Sequence, residues 1–124
     1  MGKLVLIVDD SATMRMSVKT TLEINGLSVE TASDGVEALG KLNGGLKPDL
    51  IITDVNMPNM DGLELIRNVR LLPGFRFTPI LTLTTESQAQ KRDEGRKLGA
   101  TGWLVKPVLG PDLIKVIKQV VPGA

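Results

Sequence analysis

The chain has 124 residues, of which 42% are hydrophobic and 23% charged, and its net charge at pH 7 is +1. This composition is typical of one globular domain with an adequate core. The net charge argues neither for nor against nucleic-acid binding, but no basic run or interleaved aromatics support it, so we expect no nucleic-acid partner. The chain has no cysteine and no histidine, which excludes disulfides, Ser-His hydrolysis and a phosphohistidine on this chain and argues against zinc.

The apolar runs are too short to span a membrane, and the N-terminus lacks a signal-peptide pattern. We therefore expect a cytoplasmic protein that makes no membrane contact and forms a single domain over residues 1–124.

Strand and helix patterns alternate strictly along the chain. Apolar or alternating runs predict strands, and apolar residues at helical spacing predict helices. In chain order, the strand–helix pairs are 3–8 with 11–25, 27–32 with 33–43, 49–55 with 61–70, 79–85 with 87–99, and 101–106 with 112–121. Ser11 is the expected cap of the first helix, and Gly26 is expected to end it.

The fourth predicted helix, residues 87–99, has a weak apolar stripe. A glycine in its middle, Gly95, costs helix stability by roughly 1 kcal/mol. The helix is expected to be a solvated surface element, a deliberately unstable element beside Thr84 and Trp103, or both.

Five strand–helix pairs in alternation predict a doubly wound α/β domain with right-handed crossovers. At this length we expect the flavodoxin-like (βα)5 arrangement, a five-stranded parallel sheet in the order 2-1-3-4-5. Ligands of such sheets bind beyond the carboxyl ends of the strands, near the switch between the first and third strands.

Polar residues follow four of the predicted strands at their carboxyl ends. They are Asp9 and Asp10 after the first strand, Asp54 after the third, Thr84 at the fourth and Lys106 after the fifth. Each alone has an ordinary explanation as a helix cap, a turn residue or a solvated charge. Together they predict one crevice in which Mg²⁺ relieves the repulsion between carboxylates, beside a carboxylate that can attack phosphorus.

Four stretches resemble the receiver domains of bacterial response regulators, and above all the single-domain chemotaxis regulators. They are LIVDDS at 6–11, ITDVNMPNMDGLEL at 52–65, LTLTTE at 81–86 and GWLVKPV at 102–108. The resemblance covers essentially the whole chain. It implies that Asp54 accepts a phosphoryl group from a histidine kinase, and that Lys106 and Thr84 contact that group. The residues that it implies for Mg²⁺ are Asp10, Asp54, the backbone carbonyl of Asn56 and, through water, Asp9.

The resemblance also implies a conformational switch and a set of partners. Thr84 would turn towards the phosphoryl group, and Trp103 would follow it inward, which repacks the surface of the fourth helix, fifth strand and fifth helix. Asn56 and Glu86 would tune hydrolysis of the phosphoryl group. The implied partners are a chemotaxis-type kinase, the flagellar motor switch protein or another target, and a phosphatase. The protein would be a monomeric phosphoacceptor that promotes its own phosphorylation and dephosphorylation, rather than an enzyme.

Several alternatives stay open at this point. Trp103 stands where the family usually has tyrosine or phenylalanine, so it is either the switching aromatic or a static core residue. The protein could serve as a phosphate sink or relay instead of a motor regulator. An Asp-nucleophile phosphatase would need a second aspartate where Asn56 stands, and a flavodoxin would need more aromatics. The resemblance also implies a cis peptide bond between Lys106 and Pro107.

Overall fold

The computed structural model describes residues 3–108 and 110–124. Strands and helices alternate along these residues as the sequence predicts. The strands are β1 Leu4–Val8, β2 Ser28–Ala32, β3 Leu50–Thr53, β4 Ile80–Thr84 and β5 Gly102–Val105. The helices are α1 Ala12–Ile24, α2 Gly35–Asn43, α3 Gly62–Leu71, α4 Ala89–Leu98 and α5 Gly110–Val120. The described helices are all too short or too polar to cross a bilayer.

The strands form one parallel sheet in the order β2-β1-β3-β4-β5, which confirms the predicted flavodoxin-like topology. Val8 at the end of β1 pairs with Thr53 at the end of β3. Thr84 at the end of β4 pairs with Val105 at the end of β5. Because neighbouring strands end level with one another, the residues that follow them emerge along one edge of the sheet.

Strand β1, which lies between β2 and β3, is buried on both faces. Val5 and Ile7 pack with side chains of α1 and α5, whereas Leu6 and Val8 pack with those of α2 and α3. Alternating side chains of a strand point to opposite faces, so an unbroken apolar run is what a strand between two helical layers requires. Burial of each such side chain is worth roughly 1.5–3 kcal/mol.

The helix ends follow the local sequence signals. The Ser11 side chain accepts a hydrogen bond from the Met14 backbone N–H, as expected of an N-cap. Gly26, just after α1, has a φ of 85°, which only glycine adopts easily. The Lys106–Pro107 peptide bond that follows β5 is cis, as the family resemblance implied.

Candidate functional site

Three carboxylates meet at the carboxyl edge of the sheet. Oxygen atoms of Asp9, Asp10 and Asp54 all lie within 4.8 Å of one another. The Asp9 and Asp54 residues are only 5% and 9% exposed, while Asp10 is open to solvent. The structure therefore brings together the acidic residues that the sequence predicts, two of them buried and one exposed.

Lys106 reaches this acidic cluster from the end of β5. Its Nζ lies 3.0 Å from Asp9 Oδ2 and 3.3 Å from Asp54 Oδ2. Burial lowers the pKa of Lys106, but its hydrogen bond with Asp9, the charges of Asp54 and Asp9 and its bond with Asp54 together outweigh burial, and the pKa lies above its ordinary value. The ammonium group is therefore fully charged at neutral pH.

The backbone around Asp54 is tightly packed. Asp54 Oδ1 accepts a hydrogen bond of 2.6 Å from the Val55 backbone N–H. The first residue of α3, Gly62, donates from its N–H to the Val55 carbonyl at 2.8 Å. A Cβ atom on Gly62 would lie 2.1 Å from the Asp54 carbonyl oxygen. Only glycine lets α3 begin this close to Asp54.

Thr84 and Trp103 both bond to the backbone of Glu86. The Glu86 N–H donates to Thr84 Oγ1 at 3.1 Å, and the Trp103 indole Nε1–H donates to the Glu86 carbonyl at 2.9 Å. Thr84 is fully buried, whereas Trp103 is half-buried. Glu86 thus connects the end of β4, beside the acidic cluster, with the aromatic side chain on β5.

The Trp103 ring packs against the middle of α4. A Cβ atom on Gly95 would lie 2.7 Å from Trp103 Cζ3 and 3.4 Å from Leu63 Cδ2. The glycine that the sequence marks only as a weak point in the helix is therefore the place where a large ring approaches the helix backbone.

Asn56 lies in the connection between β3 and α3, where it is exposed two residues after Asp54. Glu86 is half-buried, in the connection between β4 and α4. Both therefore lie in connections that leave the carboxyl ends of β3 and β4, and their tuning role stays a prediction.

The acidic cluster suits a hard divalent cation. Carboxylate oxygens are ligands that Mg²⁺ prefers, and Mg²⁺ usually keeps several waters beside one or two carboxylates. Three carboxylates and the Lys106 ammonium leave a formal charge of about −2, which one Mg²⁺ would balance. The donors available here fit the ion by type, charge and access.

Two residues of the site could not be singled out from the sequence. Arg15, on α1, donates from Nη1 to the Asp9 backbone carbonyl at 2.6 Å. Gly62 provides the close approach of α3 to Asp54. Gly62 lies inside the stretch 52–65 that carries the family resemblance, but glycine has no side chain to suggest a role, and Arg15 lies four residues beyond the stretch 6–11.

Comparisons with known proteins agree with this arrangement. Residues 5–118 match the response regulator receiver domain family. The chain is 40% identical over 119 residues to the chemotaxis protein CheY1 of Helicobacter pylori, with 95% of each protein covered. It is also 40% identical over 110 residues to the response regulator MprA of Mycobacterium sp., where the match covers 89% of this chain and 46% of that protein.

Solved structures with higher sequence identity to this chain share its fold. The chemotaxis protein CheY4 of Vibrio cholerae superposes with a TM-score of 0.92 at 48% identity. That match covers 97% of this chain and 99% of the CheY4 chain.

Proposed function

Because the chain belongs to the response regulator receiver domain family, we propose that it is a signalling phosphoacceptor in which Asp54 receives a phosphoryl group from a phosphohistidine of a partner kinase. One observation carries this proposal. The Asp54 carboxylate lies within 4.8 Å of those of Asp9 and Asp10 and 3.3 Å from the Lys106 ammonium, and this set can bind a cation and a phosphoryl group side by side.

The chemistry requires an exchange of bonds at phosphorus. An Asp54 carboxylate oxygen attacks the phosphorus atom and the bond from phosphorus to the imidazole nitrogen breaks. The electron pair of that bond stays on the nitrogen, and because the other ring nitrogen of the phosphohistidine already carries a proton, the imidazole leaves as a neutral base. Lys106, which now pairs with Asp54 Oδ2, is placed to hold a phosphoryl oxygen by its charge. The Thr84 hydroxyl would donate to a second oxygen. Transfer of this kind depends mainly on positioning and charge stabilisation.

We place Mg²⁺ at the acidic cluster, with Asp10, Asp54 and the Asn56 carbonyl as ligands and Asp9 acting through water. When bound, Mg²⁺ neutralises charge on the phosphoryl oxygens during transfer. Asp10→Ala tests this site, because it removes one of three repelling carboxylates and one ligand. The melting temperature without metal should rise, and the further rise on adding Mg²⁺ should disappear. An unchanged response to Mg²⁺ would contradict the assignment.

Labelling with a small phosphodonor tests the central claim. Acetyl phosphate with Mg²⁺ should add one phosphoryl mass to the intact protein, whereas EDTA should prevent this. Asp54→Asn should abolish the label, and Asp49→Asn, at an exposed aspartate that bonds the Leu4 N–H, is the matched control that should keep it. Steady turnover of donor without a stable label would instead favour a phosphatase.

We further propose that phosphorylation is read at the surface formed by α4, β5 and α5. Glu86 supports this coupling because its N–H bonds to Thr84 and its carbonyl to Trp103. If Thr84 turned towards a phosphoryl group, Glu86 would lose one partner, and Trp103 would be free to move further inward. Asn56 and Glu86, in the connections after β3 and β4, are proposed to tune how quickly water removes the phosphoryl group.

The proposed partners are a chemotaxis-type histidine kinase, the flagellar motor switch protein as target and a phosphatase, for a monomer in the cytoplasm. The similarity to chemotaxis proteins CheY1 and CheY4 supports motor control over a phosphate sink. A pull-down of the motor switch protein from the same organism should succeed with beryllofluoride and Mg²⁺ and fail without them. A sink would drain phosphate from the kinase but would not bind the motor protein in either state.

A further inference from the structure

We propose that Arg15 is a positioning residue of the acidic cluster, one that sets the direction of the Asp10 carboxylate by holding the peptide group between Asp9 and Asp10. This inference rests on the Mg²⁺ site proposed above. Arg15 lies on α1, and its guanidinium Nη1 donates to the Asp9 backbone carbonyl at 2.6 Å. The two residues are six positions apart, so the contact folds the start of α1 back onto the end of β1.

Asp9 is held at every polar group it has. Its N–H donates to the Ala32 carbonyl at 3.1 Å, and its carbonyl accepts from Arg15. Its Oδ1 accepts from the Ser11 N–H at 2.9 Å, and its Oδ2 from Lys106 Nζ at 3.0 Å. These partners come from the end of β2, the start of α1 and the end of β5. Hydrogen bonds therefore hold Asp9 in one position in the loop between β1 and α1.

The orientation of the Asp10 side chain depends on the position of Asp9. The Asp9 carbonyl and the Asp10 N–H belong to one planar peptide group. When Arg15 holds the carbonyl oxygen, it fixes the plane of that group and thus where the Asp10 side chain begins. Asp10 itself is exposed, whereas Asp9 is buried. The residue that is open to a metal is therefore oriented by a side chain that does not touch the metal.

Arg15 also carries a positive charge near the acidic cluster, and this gives the proposal a sharp test. If charge were its only effect, removal of Arg15 would leave the site more negative, and Mg²⁺ would bind more tightly. If Arg15 positions the loop, its removal should weaken Mg²⁺ binding. The two roles predict changes of opposite sign.

The experiment is calorimetric titration of Mg²⁺, and in parallel Mn²⁺, into wild type, Arg15→Met, Arg15→Lys and Lys19→Met. We expect Arg15→Met to bind Mg²⁺ about tenfold more weakly, which is the lower end of the loss seen when an outer partner of a metal ligand is removed. Arg15→Lys keeps a donor and should recover most of the loss. Lys19→Met removes the same charge one turn further along α1, at a half-buried position, and should bind as wild type does.

Amide hydrogen exchange without metal gives a second measurement. Exchange at Asp10 and Ser11 should become faster in Arg15→Met and stay unchanged in Lys19→Met. If Arg15→Met does not fold by circular dichroism, Arg15→Lys decides, with a smaller loss of affinity expected. Equal or tighter Mg²⁺ binding by folded Arg15→Met, or tighter binding by Arg15→Lys where Arg15→Met does not fold, would overturn the positioning role alone. Failure of wild type to bind Mg²⁺ would overturn the metal site and, with it, this role of Arg15.

Discussion

Helices α3 and α4 have the same length and lie side by side, yet they are attached to the domain in different ways. In α3, five of ten residues are buried, and the Asp61 side chain caps its first turn. In α4, Gly95 alone of the ten residues is buried, and the Gln88 side chain at its start makes no capping hydrogen bond to the described residues.

We expect this difference to separate a fixed half of the molecule, around α3, from a movable half around α4. The first turn of α3 packs against the backbone of Asp54, so a shift of α3 would displace the acidic cluster. The position of α4 depends on few contacts, mainly the Trp103 ring at Gly95 and the Leu98 side chain at the core. Elements that move in signalling come from the least stable parts of a fold, and α4 meets that condition beside the proposed site.

The C-terminal end of α4 is nevertheless hydrogen-bonded to α3. The Arg70 guanidinium donates to the Gly99 carbonyl at 2.7 Å, just beyond α4, and to the Phe75 and Thr78 carbonyls at 2.8 and 2.6 Å. A cation is favourable at a helix C-terminus. Because the C-terminal end of α4 is held, we expect any displacement of α4 to be largest at its N-terminal end, at Ala89, which is near Thr84.

The largest expected effect is on stability in the fixed half. Ile66→Ala, at a fully buried position of α3, should lower the free energy of unfolding by about 2–5 kcal/mol, since it leaves a cavity. Leu98→Ala, at a half-buried position of α4, should cost less than about half of that. Urea unfolding measures both. Equal losses would remove the distinction between the two helices.

The next effect is on movement in the other half. Beryllofluoride with Mg²⁺ should shift the emission of Trp103, because burial of a large ring, worth roughly 1.5–3 kcal/mol, is enough to bias a two-state equilibrium. Thr84→Ala removes the hydroxyl that bonds Glu86, so it should still accept phosphate at Asp54 but show no shift. Thr85→Ala, at the exposed residue that follows Thr84, is the control and should keep the emission shift. If the wild type shows no emission shift although labelling is confirmed by mass, Trp103 is a static residue.

A smaller effect is expected from Gly95→Ala. Alanine favours a helix by about 1 kcal/mol over glycine, but its Cβ would lie 2.7 Å from the Trp103 ring. The two effects should nearly cancel in the free energy of unfolding, while the displaced ring becomes more accessible to acrylamide quenching. Gly40→Ala in α2 has nothing within 4 Å of the new Cβ, so it should gain the full propensity without changing the quenching. Unaltered quenching in Gly95→Ala would show that α4 yields instead of the ring.

The smallest effect concerns acid and belongs to the fixed half. The Glu37 N–H and the Asn59 side chain both bond the Asp34 carboxylate and lower its pKa below 3.8. The stabilisation is therefore present above pH 3.8 and is lost as the pH falls through the lower pKa of the folded protein. Asp34→Asn should therefore lower the free energy of unfolding slightly at pH 7 and by less below pH 4, where the wild type loses the same contribution. Urea unfolding at both pH values checks this, and a loss that is as large below pH 4 as at pH 7 would contradict it.

Much of this could be predicted from the sequence because the relevant signals are local. Strand and helix alternation gave the sheet order, and residues at strand ends gave the acidic cluster and Lys106. The remainder depends on contacts that no pattern encodes. Arg15 has the sequence position of an ordinary surface arginine, yet its partner is a backbone carbonyl. Gly95 is unfavourable for a helix by propensity. Its presence in α4 is explained only by the Trp103 ring, which packs against it from β5, where Trp103 pairs with Thr82 of β4.

The ion pair between Lys106 and Asp9 joins residues 97 positions apart in the chain. During synthesis, Asp9, Asp10 and Asp54 are made long before the lysine that completes the pocket. A nascent or truncated chain that lacks β5 would carry the aspartates without their cation. Contacts of such long sequence separation form late and depend on the whole sheet. A protein that accepts phosphate as proposed would therefore acquire this ability only when the last strand is in place, so that a half-made molecule would not compete for phosphate with finished ones.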